Sequence, residues 1–229
     1  MSVAEVNSLL EVARGIVDLV KLGWGTALVS PNLKAKLERY TAAGVPVVLG
    51  GTLTELAIRQ GRVEGLVAWM RELGLRHVEI SDGTIVIEAP VKRELIERLA
   101  REFTVLSEVG SKDAEFIMPP YVWVEQIESD LAAGAWKVIA EARESGTAGI
   151  YRASGEVRTG LIEEIAHAVE PERLIFEAPR REQQVWLLQH FGTECNLGNI
   201  APADALSLET LRLGLRSDTV ERFALGGSD

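Results

Sequence analysis

Seven times along this chain a run of four to six apolar residues stops on a polar cluster of reactive type. The stops are Lys21-Leu22-Gly23-Trp24-Gly25-Thr26, Gly50-Gly51-Thr52, Glu79-Ile80-Ser81-Asp82-Gly83, Glu108-Val109-Gly110-Ser111-Lys112, Glu141-Ala142-Arg143-Glu144-Ser145-Gly146, Glu177-Ala178-Pro179-Arg180-Arg181 and Asn196-Leu197-Gly198-Asn199. Between successive stops lies an amphipathic stretch long enough for a helix. The pattern predicts strands over 19–23, 45–49, 77–80, 103–109, 136–140, 173–176 and 194–197. It predicts helices over 4–19, 32–43, 54–73, 90–102, 119–133, 157–169, 179–191 and 206–215. Gly44, Gly74, Gly134 and Gly192 stand at four helix ends, where glycine tolerates the left-handed backbone that closes a helix.

Continuous apolar runs are the mark of parallel strands covered on both faces, and chemistry at their carboxyl ends is the mark of a (β/α) barrel. The expected fold class is therefore α/β, a (β/α)8-type TIM barrel with seven recognisable strand–helix units over a single domain, 1–229. The chain opens on a helix where a first strand is expected. A doubly wound open sheet is the alternative, with its site at one switch point rather than around a ring.

Composition narrows the function. A chain of 229 residues can bury about 70–75% of its extended surface in one core. No apolar run reaches the ~18–20 residues of a membrane span, and no basic region with an apolar core opens the chain, so neither membrane nor export is expected. The net charge of −10 argues against nucleic acid, which needs a basic face. A small anionic substrate needs only a few local cations. Cys195 is the only cysteine, so no intrachain disulfide forms, and a cytoplasmic setting is expected.

The strand-end residues then carry the chemistry. Lys112 can be a proton donor, a Schiff-base former or an anion anchor, or a solvated loop lysine beside Asp113 and Glu115. On an alternating strand Glu141 and Arg143 face the same way, one to hold a cation and the other a phosphate or carboxylate, or the two as a structural ion pair. Glu79, Asp82, Glu108, Glu141 and Glu177 lie at or near strand ends, and carboxylates converging on one mouth repel unless a cation or a Lys/Arg set offsets them; Mg²⁺ suits oxygen ligands, while any one of them alone reads as a helix cap or a supporting acid. Gly51 with Thr52, and Asn196 with Gly198 and Asn199, form turns whose N–H groups can cradle an anion. Arg212 and Arg216 share a helix face, either solvated or an anion clamp.

Taken together, KLGWGT (21–26), GGTL (50–53), EISDGT (79–84), SEVG-K (107–112), EARESG (141–146), FEAP-QQVW (176–186), NLGNI (196–200) and LETLRLGLRSDT (208–219) resemble the phosphosulfolactate synthase family, in the family's order from residue 11 to 220. The resemblance implies a barrel enzyme that adds sulfite to phosphoenolpyruvate with Mg²⁺, giving (2R)-3-phosphosulfolactate on the way to coenzyme M or sulfolactate. It implies Lys112, Glu141 and Arg143 as catalytic residues. Lys21, Gly51, Thr52, Arg180, Asn196, Gly198, Asn199 and Arg216 are implied as substrate-binding, and Asp82, Glu108 and Glu177 as metal ligands. The partners it implies are small anions; separately, an incomplete barrel with five Trp suggests self-association into a homo-oligomer. The departures are a first strand with an Asp-Lys-Gly-like end, which this chain lacks, Ser111 where EVGKK is common, Arg180-Arg181 in the EAP segment, and Ser217 in place of Gly. They leave open a same-family enzyme for another phosphorylated or sulfonated acid, and a non-catalytic relative like the heat-stress-associated homologues of plants.

Overall fold

The computed structural model describes residues 1–111 and 117–223. In chain order the elements are α1 (Val3–Ala13), β1 (Val20–Leu22), α2 (Thr26–Val29), α3 (Leu33–Ala43), β2 (Val47–Leu49), α4 (Thr52–Arg59), α5 (Val63–Glu72), β3 (His77–Ile80), α6 (Ala89–Leu99), β4 (Thr104–Val109), α7 (Pro120–Ala132), β5 (Lys137–Ala140), α8 (Thr159–Ala168), β6 (Leu174–Glu177), α9 (Arg181–Phe191), β7 (Leu197–Gly198), α10 (Ala205–Arg212) and α11 (Val220–Phe223). The architecture is α/β: among the described residues seven strands alternate with helices, as the apolar runs predict.

The chain forms two compact units, 1–108 with 129–136, and 109–128 with 137–229. In the first, β1, β2, β3 and β4 pair in parallel and in chain order, with Lys21↔Val48, Leu49↔Val78 and Ile80↔Ser107 in register. In the second, β5, β6 and β7 do the same, with Ala140↔Phe176 and Glu177↔Gly198. All of β2, and β4 beyond its first residue, are buried. This is why these strands are continuous Val, Leu and Ile runs rather than alternating ones.

Local chemistry sets the helix bounds. Ser2 caps α1 through a reciprocal pair with Glu5, and Val6, Leu9 and Ala13 form its buried stripe. The single helix expected over 54–73 is two. At Gly61 (φ +62°) the chain turns, its N–H bonding the Ile58 carbonyl, and Arg62 N–H reaches back to Ala57. A glycine in the left-handed region stops α4 so that α5 starts afresh. The four-residue α2 is a further helix the apolar pattern does not announce, entered through Gly25 at φ +65°. No helix among the described residues is long and apolar enough to cross a membrane.

Candidate active site

In the first unit the ends of four strands bring together Lys21, Gly51, Glu79 and Glu108. Lys21 Nζ lies 3.3 Å from Glu79 Oε2 and 3.8 Å from Glu108 Oε2, and both carboxylates are buried. Gly51 donates its N–H to Glu79 Oε1 at 2.7 Å. A Cβ on residue 51 would stand 2.1 Å from Ser81 Oγ and 3.0 Å from Glu79 Oε1, so only glycine lets the backbone come that close. The Gly51 N–H expected to cradle a substrate anion is thus engaged by a protein carboxylate. Thr52 follows as the first residue of α4.

Behind these groups sits a second tier that sequence reasoning missed. Buried Glu55 accepts from Ser81 Oγ (2.5 Å), Thr84 N–H (2.8 Å) and Ile85 N–H (2.9 Å), which fixes the loop after β3. Thr54 Oγ1 donates to the Glu79 carbonyl at 2.7 Å. Asp82 lies 3.4 Å from Lys92 Nζ. Burial pushes the Asp82 carboxyl up, against the downward pull of Lys92. Glu55 and Lys92 fall in the stretches the pattern predicts as helix, 54–73 and 90–102, and nothing in their spacing sets them apart.

In the second unit Glu141, Glu177 and Asn199 converge. Glu177 Oε2 accepts from Ala142 N–H at 3.0 Å and from Asn199 Nδ2 at 3.5 Å. One carboxylate oxygen of Glu141 lies within 4.8 Å of one of Glu177, and both residues are buried. Asn199 takes a left-handed φ of +55°, which asparagine tolerates better than most residues. Tyr151 Oη donates to the Glu177 carbonyl at 2.7 Å, and burial, followed by the Glu177 charge, raises its phenol. Sequence reasoning did not single out Tyr151. Two buried carboxylates this close make ionisation of both costly, a cation shared between them relieves that cost, and an all-oxygen donor set suits Mg²⁺.

Of the remaining expected residues of this unit, Gly198 stands beside Glu177 in the β6–β7 register, and the others take other places. Arg143 is exposed on the loop after β5. Arg180 donates from Nε to the Ser145 carbonyl at 2.6 Å, and with Gln183, which bonds the Gly146 and Gly155 carbonyls, it ties down that loop. Gly198 accepts from Ala178 N–H at 2.9 Å. Arg216 reaches Ser207 Oγ at 3.3 Å. Asn196 donates to the Leu174 and Glu172 carbonyls, at the amino end of β6 and thus away from Glu177 at its carboxyl end. Lys112 lies outside the described residues.

Cys195 is buried and its thiol is pushed up to about 12 by burial. Burial disfavours the thiolate, the reactive form, so labelling should stay negligible at pH 8 and rise only as pH approaches that value. Rapid modification of the native protein by a thiol reagent at pH 8 would contradict this.

The family model for (2R)-phospho-3-sulfolactate synthase matches residues 1–218. Phosphosulfolactate synthase of Bacillus subtilis (strain 168) is 43% identical over 210 residues, covering 90% of this chain and 83% of its own. The protein of that name from Methanothermobacter thermautotrophicus is 40% identical over 231 residues, covering 98% and 90%. The one from Methanocaldococcus jannaschii is 39% identical over 220 residues, covering 93% and 88%. Among solved structures, 3-hexulose-6-phosphate synthase superposes with a TM-score of 0.55 at 14% identity, over 93% of this chain and 94% of that one. The 3-keto-L-gulonate-6-phosphate decarboxylase of Vibrio cholerae does so with 0.51 at 13%, over 96% and 93%. These two likenesses show the fold, α/β of the (β/α) barrel class.

Proposed function

The chain belongs to the (2R)-phospho-3-sulfolactate synthase family, and on that premise we propose that it joins sulfite to phosphoenolpyruvate in the presence of Mg²⁺, giving (2R)-phospho-3-sulfolactate. The observation that carries this reading is the match of nearly the whole chain to bacterial and archaeal proteins that bear the synthase's name. The reaction balances as an addition: sulfite sulfur bonds to the methylene carbon, the C=C electron pair moves toward the carboxylate, and one proton is delivered to C2.

Glu177 with Glu141 would hold Mg²⁺. When bound, the ion supplies Lewis-acid stabilisation of the charge that builds on the substrate carboxylate. Lys21, kept at its place by Glu79 and Glu108, supplies a cation for an anionic substrate group. Lys112 supplies the proton to C2. Arg143, exposed at the mouth of the second unit's strands, has the freedom to fold over an incoming phosphate or sulfonate.

Purified protein incubated with phosphoenolpyruvate, sulfite and Mg²⁺ should give a product at the mass of phosphosulfolactate, and a chelator should abolish it. Absence of that product from folded, metal-supplied protein would reject the reading in favour of another phosphorylated acid or a non-catalytic relative. Product formation indifferent to chelator would remove the metal.

A further inference from the structure

Lys92, the fourth residue of α6, is 4% exposed, whereas its neighbours Val91, Arg93 and Glu94 are exposed. An ammonium so placed costs several kcal/mol in desolvation unless its donors are matched. They are: Lys92 Nζ donates to the Glu108 carbonyl at 2.7 Å and lies 3.0 Å from Asp130 Oδ2 and 3.4 Å from Asp82 Oδ1. Three N–H donors meet three acceptors. Asp130, on α7, also accepts from Ser107 Oγ, so the strand residue before Glu108 is tied to the same cluster.

The place of the contact matters as much as its strength. The register of β4 with β3 ends at Ile80↔Ser107. The next carbonyl along β4, that of Glu108, is the one Lys92 takes. Asp82 stands two residues beyond the end of β3. One ammonium therefore clamps both strands just where the ladder stops, and next to Glu108, whose carboxylate lies 3.8 Å from Lys21.

We infer that Lys92 is a positioning residue: it continues the β3–β4 register past the last strand pair and thereby sets where the Glu108 carboxylate and its Lys21 partner stand. That it serves catalysis rests on the functional reading above. The local mechanical role stands apart from it.

Lys92→Met alone would leave the buried Asp130 carboxylate without its cation and can fail to fold. Lys92→Met/Asp130→Asn removes one charge of each sign and keeps an acceptor for Ser107, so it is the variant to measure. It should unfold cooperatively like the wild type, with amide exchange across 107–111 quickened and protection elsewhere unchanged. With the Glu108 side misplaced, kcat should fall by about 10²-fold with little change in KM for phosphoenolpyruvate.

Unchanged exchange overturns the inference, whatever happens to turnover, since Lys92 then does not hold the strand end. Quickened exchange with kcat within about twofold of wild type overturns the catalytic part, because misplacement near the chemistry should cost far more. If the wild type makes no phosphosulfolactate, the functional reading fails, and the exchange measurement alone decides whether Lys92 positions the end of β4.

Discussion

In Lys112→Ala, turnover of phosphoenolpyruvate and sulfite is expected to fall by about 10²–10⁴-fold, the usual contribution of a positioned proton donor. In the proposed addition a carbanion-like centre forms at C2, and a proton must reach it from one face to give a single enantiomer. Lys112, in the segment that follows β4, is the residue assigned to that delivery. Lys112→Arg should rescue little, because a guanidinium stays protonated and has a different shape. Steady-state kinetics by mass spectrometry separate the roles: a proton donor lost lowers kcat with KM nearly unmoved, while an anion anchor lost raises KM. Wild type run in D₂O should place one deuterium at C2. Unchanged turnover in Lys112→Ala would end the assignment.

Gly149→Ala should be the most destabilising methyl group that can be added to the loop after β5. Gly149 has φ +68°, and a Cβ there would lie 1.9 Å from the Glu141 carbonyl oxygen and 2.8 Å from its carbon. Those are backbone atoms, so no side-chain rotation relieves the clash. The same carbonyl accepts the Ile150 N–H at 3.1 Å, a bond that holds the loop against the end of β5. Left-handed strain costs roughly 1–2 kcal/mol and forced overpacking about 1–3, for a loss of roughly 2–5 kcal/mol. For a chain of this size that lowers Tm by about 4–20 °C. Turnover should fall as well, since the Glu141 backbone must move. Gly160→Ala is the control: it lies inside α8 with nothing within 4 Å of the added Cβ, and alanine there should leave Tm unchanged or raise it slightly. Equal melting of Gly149→Ala and wild type would show that the loop yields without cost.

How far the sequence reached depends on the range of the interaction involved. The strand over 77–80 and the helix ends at Gly44, Gly74, Gly134 and Gly192, all four with positive φ, follow from the residues themselves. The break at Gly61 did not, because apolar spacing runs through it undisturbed, and a lone glycine in a helical pattern is ambiguous. At the site, Glu79, Glu108, Glu141 and Glu177 announced themselves as charges closing buried runs. What each one touches did not follow. Gly51 could equally have offered its N–H to a ligand; the approach of Ser81 and Glu79 decided otherwise. Asn196 stood among strand-end residues by position, yet its amide caps carbonyls at the amino end of β6.

By itself the sequence determined the α/β class, the order and number of strand–helix units, the family, and the set of acids and bases at strand ends. All of these are written in patterns a few residues long or in residue identity. Only the tertiary structure decided that Lys21 sits between Glu79 and Glu108, that Glu141 and Glu177 approach within 4.8 Å, and that Lys92 is a buried clamp rather than a solvated helix charge. The reason is that an ion pair or a buried donor is set by which elements pack together across tens of residues of chain. The free energy of burying a charge depends on that surrounding, not on its sequence neighbours.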